Sequence, residues 1–134
     1  MKAPAQHTTS PRQLEWWAKE AVVYFIGAGR PLIAVKIGVS AWATMARRLR
    51  SLQSSNHEPL ELLGVIAFRE GQYPMQAAER REWELHEKFI ALQRAAPDQC
   101  GHEWFTASAE LLAFINANSR RPEVHKFPRT LRQT

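Results

Sequence analysis

Four side chains of unlike chemistry fall at spacings that one small domain could bring together: Tyr24, Lys36, Arg48 and Glu82. A phenol can exchange a proton, an ammonium and a guanidinium can balance charge on a phosphate, and a carboxylate can grip a divalent ion. As a set they are suited to cutting a phosphodiester. Tyr24 and Lys36 sit in two apolar runs, VVYFI and IAVKIGV, joined by a glycine turn, and Arg48 sits in the segment ATMARRLRSL that follows.

The elements around them must place them on one site. Val22 to Ile26 is β-branched and aromatic and reads as a strand; Ile33 to Val39 reads as the strand returning from Gly27-Ala28-Gly29-Arg30-Pro31. The G-x-G in that turn lacks a third glycine and is followed by a strand, so it is not a dinucleotide fingerprint. Ser40 is placed to cap a helix from about Ala41 to Gln53, with Trp42, Met45, Leu49 and Leu52 as its buried stripe. At about 100° per residue, Arg48 lies at the edge of that stripe while Arg47 and Arg50 point away. Arg48 can therefore reach inward, or simply lay its stem over apolar surface.

Leu60 to Phe68 reads as a third strand, with Gly64 marking a bulge or a close approach. Met75 to about Arg94 reads as the longest helix, with Met75, Ala78, Glu82, Leu85, Phe89 and Leu92 on one face. Glu82 breaks that apolar stripe. A carboxylate there needs a cation, a metal or a water-filled cleft, and a salt bridge to a neighbouring base is the plain alternative. His86 follows at i+4, near enough to hydrogen-bond there or to pack. Glu79, Glu84 and Glu87 read as solvated helix charge. Toward the C-terminus, Ala95 to Gly101 is a loop carrying Cys100, and His102 to Phe105 is a short extended piece. Ser108 caps a last helix, Ala109 to about Ala117, with Leu111, Leu112 and Ile115 inward.

With 134 residues the chain has room for one domain. Residues 1–13 read as a disordered arm, 14–118 as the folded domain and 119–134 as a basic tail. LEWWAKEA, from Leu14, opens the domain with a short helix that buries one of the adjacent Trp16 and Trp17. The net charge is +5, and in the tail Arg120, Arg121, Lys126, Arg129 and Arg132 are offset only by Glu123. That suits a polyanion such as nucleic acid, or a merely solvated end. One cysteine excludes an internal disulfide framework. No apolar run approaches the ~20 residues that span a bilayer, and the N-terminus has no secretory h-region. These features point to a cytoplasmic protein with no membrane partner. The histidines lack zinc spacing, no serine sits in a nucleophile elbow, and Cys100 has only His102 nearby. A single carboxylate-bound divalent ion fits better.

The motifs VVYFI, VKIGVS, RRLRSLQ, REWELHEKF and HEWF, in this order, resemble the GIY-YIG nuclease superfamily, over roughly Ala21 to Asn118. The similar branch is the phage and fungal-meiotic one, whose second motif reads K-I-G and whose later helix reads E-x-x-L-H. The chain departs from the superfamily pattern in having Val22 where the first motif has glycine and Lys36 where the second has tyrosine. The resemblance implies an α+β fold: a small three-stranded antiparallel sheet flanked by three or more helices. It implies metal-dependent hydrolysis of nucleic-acid phosphodiesters, DNA more than RNA, with Mg²⁺ or Mn²⁺. Carried over residue by residue, Tyr24 is the general base, its phenolate stabilised by Lys36. Arg48 neutralises the phosphate and Glu82 holds the metal. Gly38, which would let the substrate approach, and Arg47, His86, Arg120 and Arg121 are the further positions expected to meet nucleic acid. Two other readings are a nucleic-acid-binding module without catalysis and a protein-interaction domain using Trp16 or Trp17. No reader of sequence is evident, so specificity is expected from a homo-oligomer or a protein partner.

Overall fold

The two apolar runs pair as an antiparallel hairpin longer than their β-branched cores. The computed structural model, which describes residues 9–94 and 103–131, has β1 at Ala21–Ala28 and β2 at Ala34–Ala41. Their register sets Tyr24 opposite Gly38 and Ile26 opposite Lys36. Gly27 and Ala28 carry β1, and Ser40 and Ala41 carry β2, past their expected ends, and Gly29, at φ +97°, turns the chain. β3, Leu60–Phe68, lies on the other side of β1.

Where Phe25 faces Gly64 and Ile26 faces Leu62, Leu63 is left over as a bulge. The extra residue shifts the alternation by one, so Leu62 and Val65 both face the side that holds Tyr24. Gly64 is also a point of close approach: a Cβ there would stand 2.1 Å from Ser119 Oγ.

The expected three-stranded sheet has a fourth strand. β4, Trp104–Thr106, pairs with Ala34–Lys36 of β2 and completes the order β3-β1-β2-β4. Three residues carry too little alternation to announce a strand; Phe105, fully buried, anchors it.

Among the described residues four α-helices pack around the sheet: α1 (Pro11–Trp17), α2 (Met45–Ser54), α3 (Pro74–Lys88) and α4 (Ala109–Asn118). One face of the sheet, with Val23, Phe25, Val35 and Ile37, packs on Met75, Ala78 and Leu85 of α3, on Phe89 just beyond it, and on Leu111 and Ile115 of α4. The other face, with Val22, Tyr24 and Ile26, packs on Met45 and Leu49 of α2. Burying such side chains, at about 1.5–3 kcal/mol each, is what holds the layers together. Ser108 caps α4 as expected, its Oγ accepting from Leu111 N–H at 3.1 Å. Ser40 does not cap α2. It lies within β2, and a single 3-10 turn, Trp42–Thr44, leads into the helix instead.

The ends of the chain also differ from expectation. α1 begins at Pro11, capped by Ser10, inside the stretch read as an arm. Both its tryptophans turn to one group: Trp16 Nε1 and Trp17 Nε1 donate to the two carboxylate oxygens of Glu79, at 2.8 and 3.3 Å. Glu79 is therefore the clasp between α1 and α3, not ordinary solvated charge. Residues 119–131, read as a tail, run back along β3. Arg120 exchanges backbone hydrogen bonds with Val65, Leu62 N–H donates to the Arg129 carbonyl, and Phe127 and Leu131 are buried. β3 has a free edge to offer, and those two apolar side chains hold the segment against it. Arg129 is consumed internally, bidentate on Glu123 at 2.9 and 3.1 Å and also 3.3 Å from Glu61. Cys100 and His102 lie outside the described residues. No described helix is long and apolar enough to cross a membrane.

Candidate active site

Tyr24 and Lys36 project from neighbouring strands onto the face covered by α2, because Tyr24 pairs with Gly38 and Lys36 stands two residues from Gly38. The hydroxyl end of the Tyr24 ring lies over Gly38. A Cβ at position 38 would come within 2.4 Å of the phenolic oxygen and 2.5 Å of Cζ. The close approach expected of Gly38 is thus to the tyrosine, which occupies the space that substrate was expected to take.

α2 brings the guanidinium. Arg48 is on the exposed side of that helix but turns its Nε to donate to Tyr24 Oη at 3.3 Å. Its terminal nitrogens have no hydrogen-bond partner among the described residues, which leaves the outer fork of the guanidinium available to an anion. Arg47, one residue earlier, is exposed and shares with Arg48, Thr44 and Ser51 a shallow depression of about 300 Å³.

Lys36 does not reach the phenol by hydrogen bond. Its Nζ pairs with the carboxylate of Glu103, and the lysine is only 6% exposed. The expected cation on Tyr24 is therefore supplied by Arg48 rather than Lys36. Burial pushes the Lys36 ammonium down to about 8, the nearby Arg48 charge adds to the fall, and Glu82 works against it. Burial likewise raises the Tyr24 phenol above its ordinary value, with Arg48 opposing and Glu82 reinforcing the rise.

Glu82 arrives around the edge of the sheet. β4 stops pairing with β2 at Lys36, and just beyond that point His86 Nε2 meets the Ile37 carbonyl at 2.9 Å. A donor nitrogen on that carbonyl fixes the ring's tautomer and ties α3 to the free stretch of β2. Glu82, one helical turn earlier, is held beside it, 4.0 Å from His86 Nε2 and about one-fifth exposed. Its charge acts on Tyr24 and Lys36 alike. Burial raises the Glu82 carboxyl, against the pull of His86, Lys36 and Arg48. His86, expected at the nucleic acid, anchors α3 and packs edge-on against Phe105.

Arg120 and Arg121 are exposed on the segment beyond β3. Arg120 is in line with Val65, Tyr24 and Gly38 across the sheet, two strand spacings, roughly 10 Å, from Tyr24. The residue that sequence reasoning missed is Glu103. An acid facing a lysine across two strands cannot be seen until β4 exists.

Residues 21–119 match the family model of the T5orf172 domain. Neither a curated protein nor a solved structure matches the chain. The matched span holds all four strands, α2 to α4, and the Tyr24, Lys36, Arg48 and Glu82 constellation. The chain belongs to the T5orf172 domain family.

Proposed function

We propose that this chain is a metal-dependent endonuclease of the GIY-YIG type, hydrolysing phosphodiester bonds in nucleic acid, with DNA as the favoured substrate. The observation that carries the reading is the Arg48 Nε on the Tyr24 hydroxyl, with Glu82 close enough for its charge to bear on Tyr24 and Lys36 close enough to feel Arg48 and Glu82.

A divalent ion fits the donors in one particular way. Among the described residues no three His, Cys, Asp or Glu side chains gather as a metal cage. Glu82 is a lone, partly exposed carboxylate with no ion partner nearer than 4.0 Å among the described residues. Mg²⁺ and Mn²⁺ suit such a donor, since Mg²⁺ keeps several waters and is commonly held by one or two carboxylates plus substrate phosphates. When bound, the ion supplies positive charge to the departing oxygen.

The remaining work falls to the chain. Arg48 serves two tasks in turn: Nε holds the phenol before substrate binds, and the outer nitrogens then clasp phosphate oxygens. Tyr24 Oη, as general base, takes the proton of the attacking water. Tyr24 is wholly enclosed, with Arg48 against its hydroxyl. A phosphate that draws the guanidinium outward uncovers Oη as substrate arrives. Lys36 adds a positive charge beside the phosphate, and Glu103 fixes where that charge stands.

The test is nicking of supercoiled, linear, single-stranded and branched DNA, and of RNA, in Mg²⁺ or Mn²⁺ across pH 6 to 9. Below pH 8 the rate should climb about tenfold per unit, because each unit deprotonates ten times more of a phenol whose value is raised. Near pH 8 the climb should flatten, since Lys36 loses its proton there and the two changes cancel. Lys36→Arg, which stays charged, should keep climbing. A wild-type profile with no break near pH 8 would remove Lys36 from the mechanism, and no cutting under any condition would remove catalysis. Salt-sensitive binding without cutting would support a binding module instead, the reading that the enclosure of Tyr24 favours.

A further inference from the structure

Where β1 ends and β2 and β3 begin, a cavity of about 580 Å³ opens beside Lys36. Pockets that take small organic groups run from roughly 300 to 1,000 Å³. Its walls include Leu52 near the end of α2, Asn56 and Glu58 from the next loop, Lys36 of β2, and Glu103 and Trp104 at β4. Lys36 thus belongs both to this cavity and to the candidate active site. Tyr24 stands about two residues further along the sheet, roughly 7 Å, because its partner Gly38 is two beyond Lys36. A phosphate held between Arg48 and Lys36 would leave its own sugar and base at the mouth of the cavity.

The walls indicate which group enters. Lys36 and Arg94 balance Glu58 and Glu103 around the lining, with Lys36 paired to Glu103, so the cavity has no net charge with which to draw in a second phosphate. Trp104 is half-buried against the cluster of Tyr24, Leu60 and Leu62, which gives the cavity one aromatic wall. Asn56 Oδ1 accepts from Glu58 N–H at 3.0 Å. Its amide Nδ2 is left as a donor with no partner among the described residues, and the Glu58 carboxylate is an exposed acceptor. An aromatic wall, an aliphatic wall and a donor–acceptor pair at the rim suit a flat, uncharged ring with a polar edge.

We infer that the cavity receives an unpaired nucleobase adjoining the phosphate that is cut, so the substrate carries a bulged or otherwise unpaired nucleotide at that point. The inference rests on the proposed function for the position of the phosphate. A base still paired in a duplex presents only its edge and cannot enter, whereas an unpaired one can be turned out at little cost.

The test measures binding rather than cutting, with Glu82→Gln protein so that the probes stay whole. Three labelled duplexes are compared by fluorescence anisotropy: fully paired, with one bulged nucleotide, and with the same bulge abasic. The bulged duplex should bind about tenfold more tightly than the other two, the size expected of one base stacked on an aromatic side chain. Trp104→Ala should erase that preference and leave the affinity for the paired duplex unchanged. If the bulged and abasic duplexes bind alike, the inference is overturned while the proposed function stands; that comparison uses no Trp104 variant, so misfolding cannot obscure it. If none of the three binds, the proposed function falls and takes the inference with it.

Discussion

Tyr24→Phe should slow single-turnover cleavage by roughly 10²–10⁴-fold, the usual contribution of one placed proton acceptor, while leaving the fold intact. Only the hydroxyl is lost. The ring still covers Gly38 and fills its place between β1 and α2. The partner left behind is Arg48 Nε, on an exposed side chain that water can satisfy. Stability should therefore shift by less than about 1 kcal/mol, since net hydrogen-bond contributions are of that order. Thermal denaturation and cleavage kinetics on the same preparation check both halves. Equal rates for variant and wild type would remove Tyr24 from proton transfer.

Gly38→Ala should damage both fold and rate. The methyl would meet Cε1, Cζ and Oη of Tyr24 at 2.8, 2.5 and 2.4 Å, and that ring is fully buried, with nowhere to retreat. Overpacking of this kind costs about 1–3 kcal/mol, and moving the ring breaks the alignment of Oη with Arg48. Urea unfolding gives the stability change. The check on its cause is a second substitution: Tyr24→Leu in the Gly38→Ala background should restore stability without restoring cleavage. A loss no smaller in that double variant would mean the glycine serves something other than the tyrosine ring.

Much of this was legible in the residues, for identifiable reasons. The hairpin and third strand were readable because β-branched runs bounded by glycine and proline have one economical conformation. Arg48 was readable because helical spacing put it at the border of an apolar stripe, from which its side chain reaches Tyr24. Glu82 stood out as a lone acid in the α3 stripe, and it is indeed partly buried beside the β2 edge. What escaped depended on contacts between distant parts of the chain. β4 is too short to show a period, so Glu103, just before it, was invisible as the partner of Lys36. The clasp of Trp16 and Trp17 on Glu79 joins positions more than sixty residues apart. The return of residues 119–131 along β3 needed only Phe127 and Leu131, too sparse a signal to outweigh five basic residues.

The central claim is that Glu82 serves the same reaction as Tyr24 and Arg48, and paired single-turnover assays of wild type and Glu82→Gln test it most directly. Both proteins are held at saturating concentration on one end-labelled DNA in Mg²⁺, with binding measured in parallel. The amide keeps the size of the side chain and removes the charge proposed to grip the ion. Wild type should cut and Glu82→Gln should lose at least about 10³-fold in rate at unchanged affinity. Cleavage by Glu82→Gln at the wild-type rate, or firm binding by wild type with no cleavage in either Mg²⁺ or Mn²⁺, would contradict the account.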